Sequence, residues 1–371
     1  MLLTNATALP AKLLANPEVE GEYGMGTVLA KATFRFPSGG AVELETQTPL
    51  ALFERDLETP LGLLPADTVA RHGDRFEVML LGRAHAPARG TTVLRVALSV
   101  GSERRELEVF GDRSWEPLGN GKQRAGAPLP FTDMPLVYER AFGGTFPLHL
   151  DHDSLLDVSD PINPRGLGFD AERWADALRQ LLGAPPGYPA LPGYQRRLPN
   201  LEHPKHLICE WADAPEPVGW APLPRDTSIG QLPLLRHETE RLAQQRGDPE
   251  RARGDALGAE AAADPDQGLY RAHPDWIIDT PPAGARVRLE NLLAEAPTLE
   301  FPLPPLRVIA DYELYGRRGS RDLRPHALVL LPERRIFYLV YRLPFLFEKG
   351  PASGRSMRLR TASGWYPSEG G

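Results

Sequence analysis

The chain has 371 residues, a formal net charge of −7, 42% hydrophobic and 25% charged residues, and one cysteine. That length buries a large core, no run of about eighteen apolar residues suits a membrane-spanning helix, and a lone Cys209 excludes an internal disulfide and fits a reducing compartment. The 39 prolines and 35 glycines favour many short strands joined by turns over long helices.

The opening "MLLTNATALPAKLLAN" lacks a basic flank and interrupts its apolar residues with Asn5, Thr7 and Pro10, so it reads as mature sequence and the protein as cytoplasmic. Residues 27–36 and 41–46 then read as two strands around "SGG", a hairpin signal. Residues 74–87, 91–100 and 104–116 read as three more, with turns at 88–90 and 101–103. Together these five predict an antiparallel, sandwich-like unit over residues 1–120. Residues 121–284 form a loop-rich central region with Tyr, Phe and Trp recurring among the prolines. A short helix is expected at 171–183, closed by Gly183, and a polar, charged excursion at 236–263, helical with a break at Gly247–Pro249 or mobile. Strand patterns return at 285–293, 298–304, 306–316 and 326–345, the last folded at the turn "PERR" (332–335). Residues 285–371 are expected to pack with the N-terminal unit as one domain. The expected class is mainly β, with long ordered Pro/Gly-rich loops and one or two short helices.

Charge is unevenly spread. Residues 301–371 hold 12 Lys/Arg against 6 Asp/Glu, which suits an acidic protein partner or internal pairing. Nucleic acid fits less well, because Phe337, Tyr338 and Tyr341 sit in apolar runs that suit a core better than base stacking.

Three patterns bear on chemistry. The loop "HLDHD" offers His149, Asp151 and His152 as metal ligands, and "HPKH" adds His203 and His206. Neither has the spacing of a standard metal motif, and the residues read as exposed polar loop. Cys209 lies in the apolar, strand-like "HLICEW" and reads as a small buried hydrophobe. No nucleophile elbow, phosphate loop or dinucleotide fingerprint is present. More distinctive are the turns "FGDRSW" (110–115), "YERAFGG" (138–144), "NPRGLGF" (163–169) and "EPVGWAPL" (216–223), in which a glycine sits beside an aromatic and often an arginine. A glycine permits unusual backbone angles there, and a guanidinium satisfies carbonyls. Arg140, Gly143, Gly144, Asn163 and Arg165 are thus candidates for fixing these loops to the β core or for gripping a partner.

These turns, with "GRAHAP", "LPNLEHP", "DPDQGLYRAHPDWI", "VRLENLL" and "LEFPLPPLR", run in one order along nearly the whole chain. They resemble the bacterial family known as domain of unknown function 2169. The resemblance implies an adaptor or chaperone that holds a type VI secretion effector and helps load it onto the spike of valine-glycine repeat and PAAR-type proteins. It brings no catalytic residue, metal or cofactor, and its partners are an effector and a spike protein. Arg317, Arg318, Arg321 and Arg324 are then the candidate cations for steering a client, with edge strands available for pairing. The rival expectations are a metal-dependent hydrolase using His149, Asp151 and His152, and a structural tail component.

Overall fold

The computed structural model describes residues 2–16, 23–37, 41–68, 74–119, 122–149, 155–171, 196–246, 270–282, 284–349 and 355–364. Two sheets dominate. Among the described residues the larger has ten strands, and its main path runs Leu2–Asn5, Arg355–Ser363, Leu306–Leu314, Arg317–Leu331, Ile336–Glu348, Tyr23–Arg35 and Ala11–Asn16. Glu43–Leu44 adds to Tyr23–Arg35, while Phe76–Leu80 runs parallel to the second half of Arg317–Leu331 and carries Ile277–Ile278 on its other side. The second sheet is antiparallel throughout, in the order Leu201–Glu202, Glu103–Phe110, Val93–Val100, Arg286–Glu290 and Thr298–Pro302. The fold is mainly β, as the composition predicts.

Alternation explains the second sheet. In "VLRVALSV" the residues Leu94, Val96, Leu98 and Val100 are buried, while Val93 and Arg95 are exposed, the period of a strand with one face on a core. Gly101 then closes the hairpin at φ +62°. The two sheets share one apolar core. Phe301 of the smaller sheet stacks on Phe337 of the larger at 4.9 Å, and Phe36 and Phe34 extend the stack. Strands from residues 1–120 and from 285–371 therefore share both sheets. Val93–Val100 lies between Glu103–Phe110 and Arg286–Glu290, and Tyr23–Arg35 lies beside Ile336–Glu348.

The outer face of the large sheet is covered too, and the cover is polar at its root. Lys31 is fully buried and forms an ion pair with Asp67. Its ammonium also donates to the Ala51 carbonyl at 3.0 Å and sits over the Phe53 ring. Asp67 in turn accepts from the Phe53 amide at 2.6 Å, and buried Arg342 donates to the Asp67 carbonyl. Burial lowers the Lys31 pKa and raises that of Asp67. Beside this pair Glu77 accepts from the amides of Arg271 and Ala272 and faces His326 at 3.3 Å. Residues 50–68 and 270–273 are pinned to the sheet by these buried charges, whose removal one at a time is costly.

The excursion expected from residue 236 is a helix that begins earlier, at Leu232, and runs to Arg246. Leu232 and Leu242 are buried on one side of it. All but the first residue of the helix expected at 171–183 lies outside the described residues, as do 247–263. Among the described residues no helix is long and apolar enough to cross a membrane.

Candidate functional site

The central loops close on themselves through a small set of residues. After a 3-10 turn at Tyr138–Arg140, the chain makes a two-residue parallel pairing, Phe142–Gly143 with Leu167–Gly168. Two backbones meet there too closely for side chains. Gly143 and Gly144 have φ of +135° and +106°, and a Cβ on either would overlap a carbonyl oxygen, of Asn163 and Gly166 respectively. Only glycine fits both the angle and the approach.

Asn163 fills the centre of this contact and is fully buried. Its Nδ2 donates to the carbonyls of Tyr138 and Phe142, both at 2.9 Å. Its own amide donates to Asp160 Oδ1 at 2.7 Å, and its carbonyl accepts from Gly144 at 2.8 Å and Gly166 at 3.1 Å. One side chain thus joins the first glycine turn to the second.

Arg140 makes the next link outward. Its Nη1 donates to Asp112 Oδ1 at 2.8 Å and to Asn200 Oδ1 at 2.9 Å. Asn200 is buried and donates to the Phe110 carbonyl and to Asp112, each at 3.0 Å. Burial alone would raise the Asp112 carboxyl, but the Asn200 amide with Arg140 and Arg197 outweighs it and holds the group below the usual carboxylate range. Next to this link Arg113 stacks on Phe110 and pairs with Glu202 in the interior. Arg165 lies further out, with Nε 2.7 Å and 2.8 Å from the two oxygens of Asp226 and Nη1 3.3 Å from Glu139.

Two clefts flank the segment 218–225, and neither follows from the sequence reading. The first, of about 470 Å³, is lined by Val218 and Trp220 together with Arg104, His203, His273 and Trp276. The second, of about 560 Å³, is lined by Ala221 and Pro222 from the same segment and by Tyr138, Arg165, Asp56 and Arg225. Gly219 packs on the Tyr138 ring, where a Cβ would come within 2.7 Å. His273 Nδ1 accepts from the Asp275 amide and its Nε2 donates to the Pro217 carbonyl, both at 3.2 Å. Burial lowers its pKa, so a neutral imidazole is held in one tautomer. In the sequence, the "HPDW" turn with Pro at its first position was the available signal for this wall.

The other candidates lie apart. Arg317, Arg318, Arg321 and Arg324 sit on one strand, whose pleat places Arg317 and Arg321 on the face of buried Leu323 and Arg318 and Arg324 on the opposite face. Arg318 pairs with Glu313 and Arg324 bonds Thr280. The four do not make one patch. His149 ends a short strand, while Asp151 and His152 lie outside the described residues. His203 and His206 have ring centroids 5.1 Å apart, and among the described residues no group of three or more His, Cys, Asp or Glu is placed to hold a metal ion. Cys209 is exposed, contrary to the buried reading. "HLICEW" is loop and turn, and only Ile208 of its central residues is buried, so the period of a strand does not apply.

Residues 21–342 match the model of an uncharacterized protein family conserved in bacteria, DUF2169. The chain belongs to that family. No curated protein and no solved structure matches it. Four of the motifs that carry the DUF2169 resemblance in sequence meet in space. "FGDRSW" supplies Asp112 and Arg113, "YERAFGG" supplies Arg140 and the glycine pair, "NPRGLGF" supplies Asn163, and "LPNLEHP" supplies Asn200 and Glu202.

Proposed function

We propose that this DUF2169 chain is a non-enzymatic, cytoplasmic adaptor or chaperone that binds a type VI secretion effector and helps load it onto the spike. The observation that supports this reading most is the division of labour in the central region. Hydrogen bonds from Asn163 and Arg140 fix the loops to one another, and the two clefts beside segment 218–225 lie on that platform. Preformed surfaces of that kind bind a partner with little ordering cost.

The test is a pull-down from the native bacterium with the protein tagged at its N-terminus. A toxin-like effector recovered together with a spike protein supports the reading. Recovery of the protein alone, with a stoichiometric metal that is lost on His149→Ala, overturns it in favour of the hydrolase.

A further inference from the structure

The large sheet is split in its middle. Arg317–Leu331 and Ile336–Glu348 pair only from Arg324↔Arg342 to Leu331↔Ile336. Beyond that point residues 317–323 stay with Leu306–Leu314, and residues 343–348 stay with Tyr23–Arg35. Pro344, two residues past the last pair, has no N–H with which to continue the ladder.

Both sides of this slot present main-chain groups. Tyr315 and Gly316 have φ of +52° and +75°, the two-residue turn that makes Leu314 and Arg317 a hydrogen-bonded pair. By the antiparallel alternation, Arg318, Ser320 and Asp322 then turn their N–H and C=O groups away from Leu306–Leu314 and into the slot. Opposite them, the Glu348 amide donates to the Tyr315 hydroxyl at 2.6 Å, and the Glu348 carbonyl accepts from Arg355 Nη1 at 2.6 Å. The same alternation turns Leu346 and Pro344 toward the slot. A tyrosine side chain here spans a gap that a direct strand-to-strand hydrogen bond closes elsewhere.

The slot has a chemical character. Phe345 and Phe347 lie over Gly26 and Gly24, and Tyr312 lies over Gly319, all on the pleat face that holds Leu323 and Leu343. Arg317 and Arg321 share that face, are exposed, and have no ion-pair partner among the described residues. On the other face Leu346 is 65% exposed.

We propose that this slot takes up an extended segment of a partner polypeptide as an added strand, with alternate acidic residues beside Arg317 and Arg321. Unpaired strand edges supply the affinity in such pairing, and the side chains of one face supply the selection. Under the adaptor reading, on which its biological role rests, the partner is the effector.

The probes are fluorescent octapeptides of alternating Val and Glu, of alternating Val and Lys, and of Val and Glu with alternate amides methylated, titrated by anisotropy. The Val–Glu peptide is expected to bind, with the other two at least about tenfold weaker. Arg321→Glu is expected to weaken Val–Glu binding. Leu346→Pro is also expected to weaken it, since it removes a donor that faces the slot and none that faces Tyr23–Arg35; if it does not fold, the methylated peptide carries the test. Equal binding of the Lys or methylated peptide, or none of the Val–Glu peptide, overturns the proposal. So does a dimer seen by light scattering that Leu346→Pro dissolves, which assigns the slot to a second copy. An effector captured equally by wild type and folded Leu346→Pro leaves the adaptor reading standing and removes the slot alone.

Discussion

Asn163→Ala tests whether one buried amide holds the central loops together. The substitution removes two hydrogen bonds of 2.9 Å. The Tyr138 carbonyl keeps the Ala141 amide as a partner at 3.2 Å, whereas the Phe142 carbonyl loses the Asn163 side chain with nothing to replace it among the described residues. Two net hydrogen bonds at roughly 1 kcal/mol each, with about 1–2 kcal/mol for one stranded buried carbonyl, give a loss of about 3–4 kcal/mol. Urea unfolding followed by tryptophan fluorescence reads this as a lower midpoint at unchanged slope. Hydrogen exchange should quicken at the Gly144 and Gly166 amides, which bond the Asn163 carbonyl. A loss below about 0.5 kcal/mol, within the range of ordinary surface substitutions, would refute the reasoning and leave the glycine contacts as the sole tie.

Gly143→Ala, at positive φ and against the Asn163 carbonyl, is expected to destabilise strongly, while Gly90→Ala, at φ +83° in open space, is expected to cost only about 1 kcal/mol in the same urea assay. Lys31→Met leaves the Asp67 carboxylate buried without its cation and is expected to cost about 3–5 kcal/mol; the double substitution with Asp67→Leu should recover much of that, measured by a double-mutant cycle. Burial raises the Glu202 carboxyl to about 7, against the opposing pull of Arg113. Between the unfolded pKa near 4.5 and that value the folded state holds a proton the unfolded chain has lost, so stability falls as pH rises across the window, on the order of 3 kcal/mol in all. Glu202→Gln should flatten the pH profile of the unfolding midpoint there, and an unchanged profile would refute the assignment.

Much of this architecture is legible in the sequence where order is local. "TVLRVALSV" alternates and is a strand, and "PERR" is a 3-10 turn whose Arg335 takes φ +57°. What failed to show is order that depends on distant chain. Phe76–Leu80 reads as one strand of an antiparallel series, yet it lies parallel to residues 250 positions away, because its partner is chosen by burial on both faces. Lys31 in "LAKATF" carries no mark of its burial in the sequence, since residues 50–68 fold over that face and bring Asp67 to it. The glycine turns were legible as rigid points, but their mutual contact through Asn163 was not, and neither was the cleft wall of Trp220, His273 and Trp276. The arginines 317–324 look contiguous in the sequence and are divided by the period of the strand they occupy.

The interleaving of early and late strands bears on how this protein is made. Among the described residues Leu2–Asn5 pairs with Arg355–Ser363, and Tyr23–Arg35 pairs with Ile336–Glu348 and the short strands beside it. A nascent chain leaving the ribosome therefore carries the apolar strand Tyr23–Arg35 without its main partner until residues 336–348 have been synthesised. Closing such distant contacts is slow, and exposed strands of that kind aggregate. A protein whose proposed task is to shelter another polypeptide would itself need shelter during synthesis, and C-terminal truncation before residue 336 should yield insoluble product.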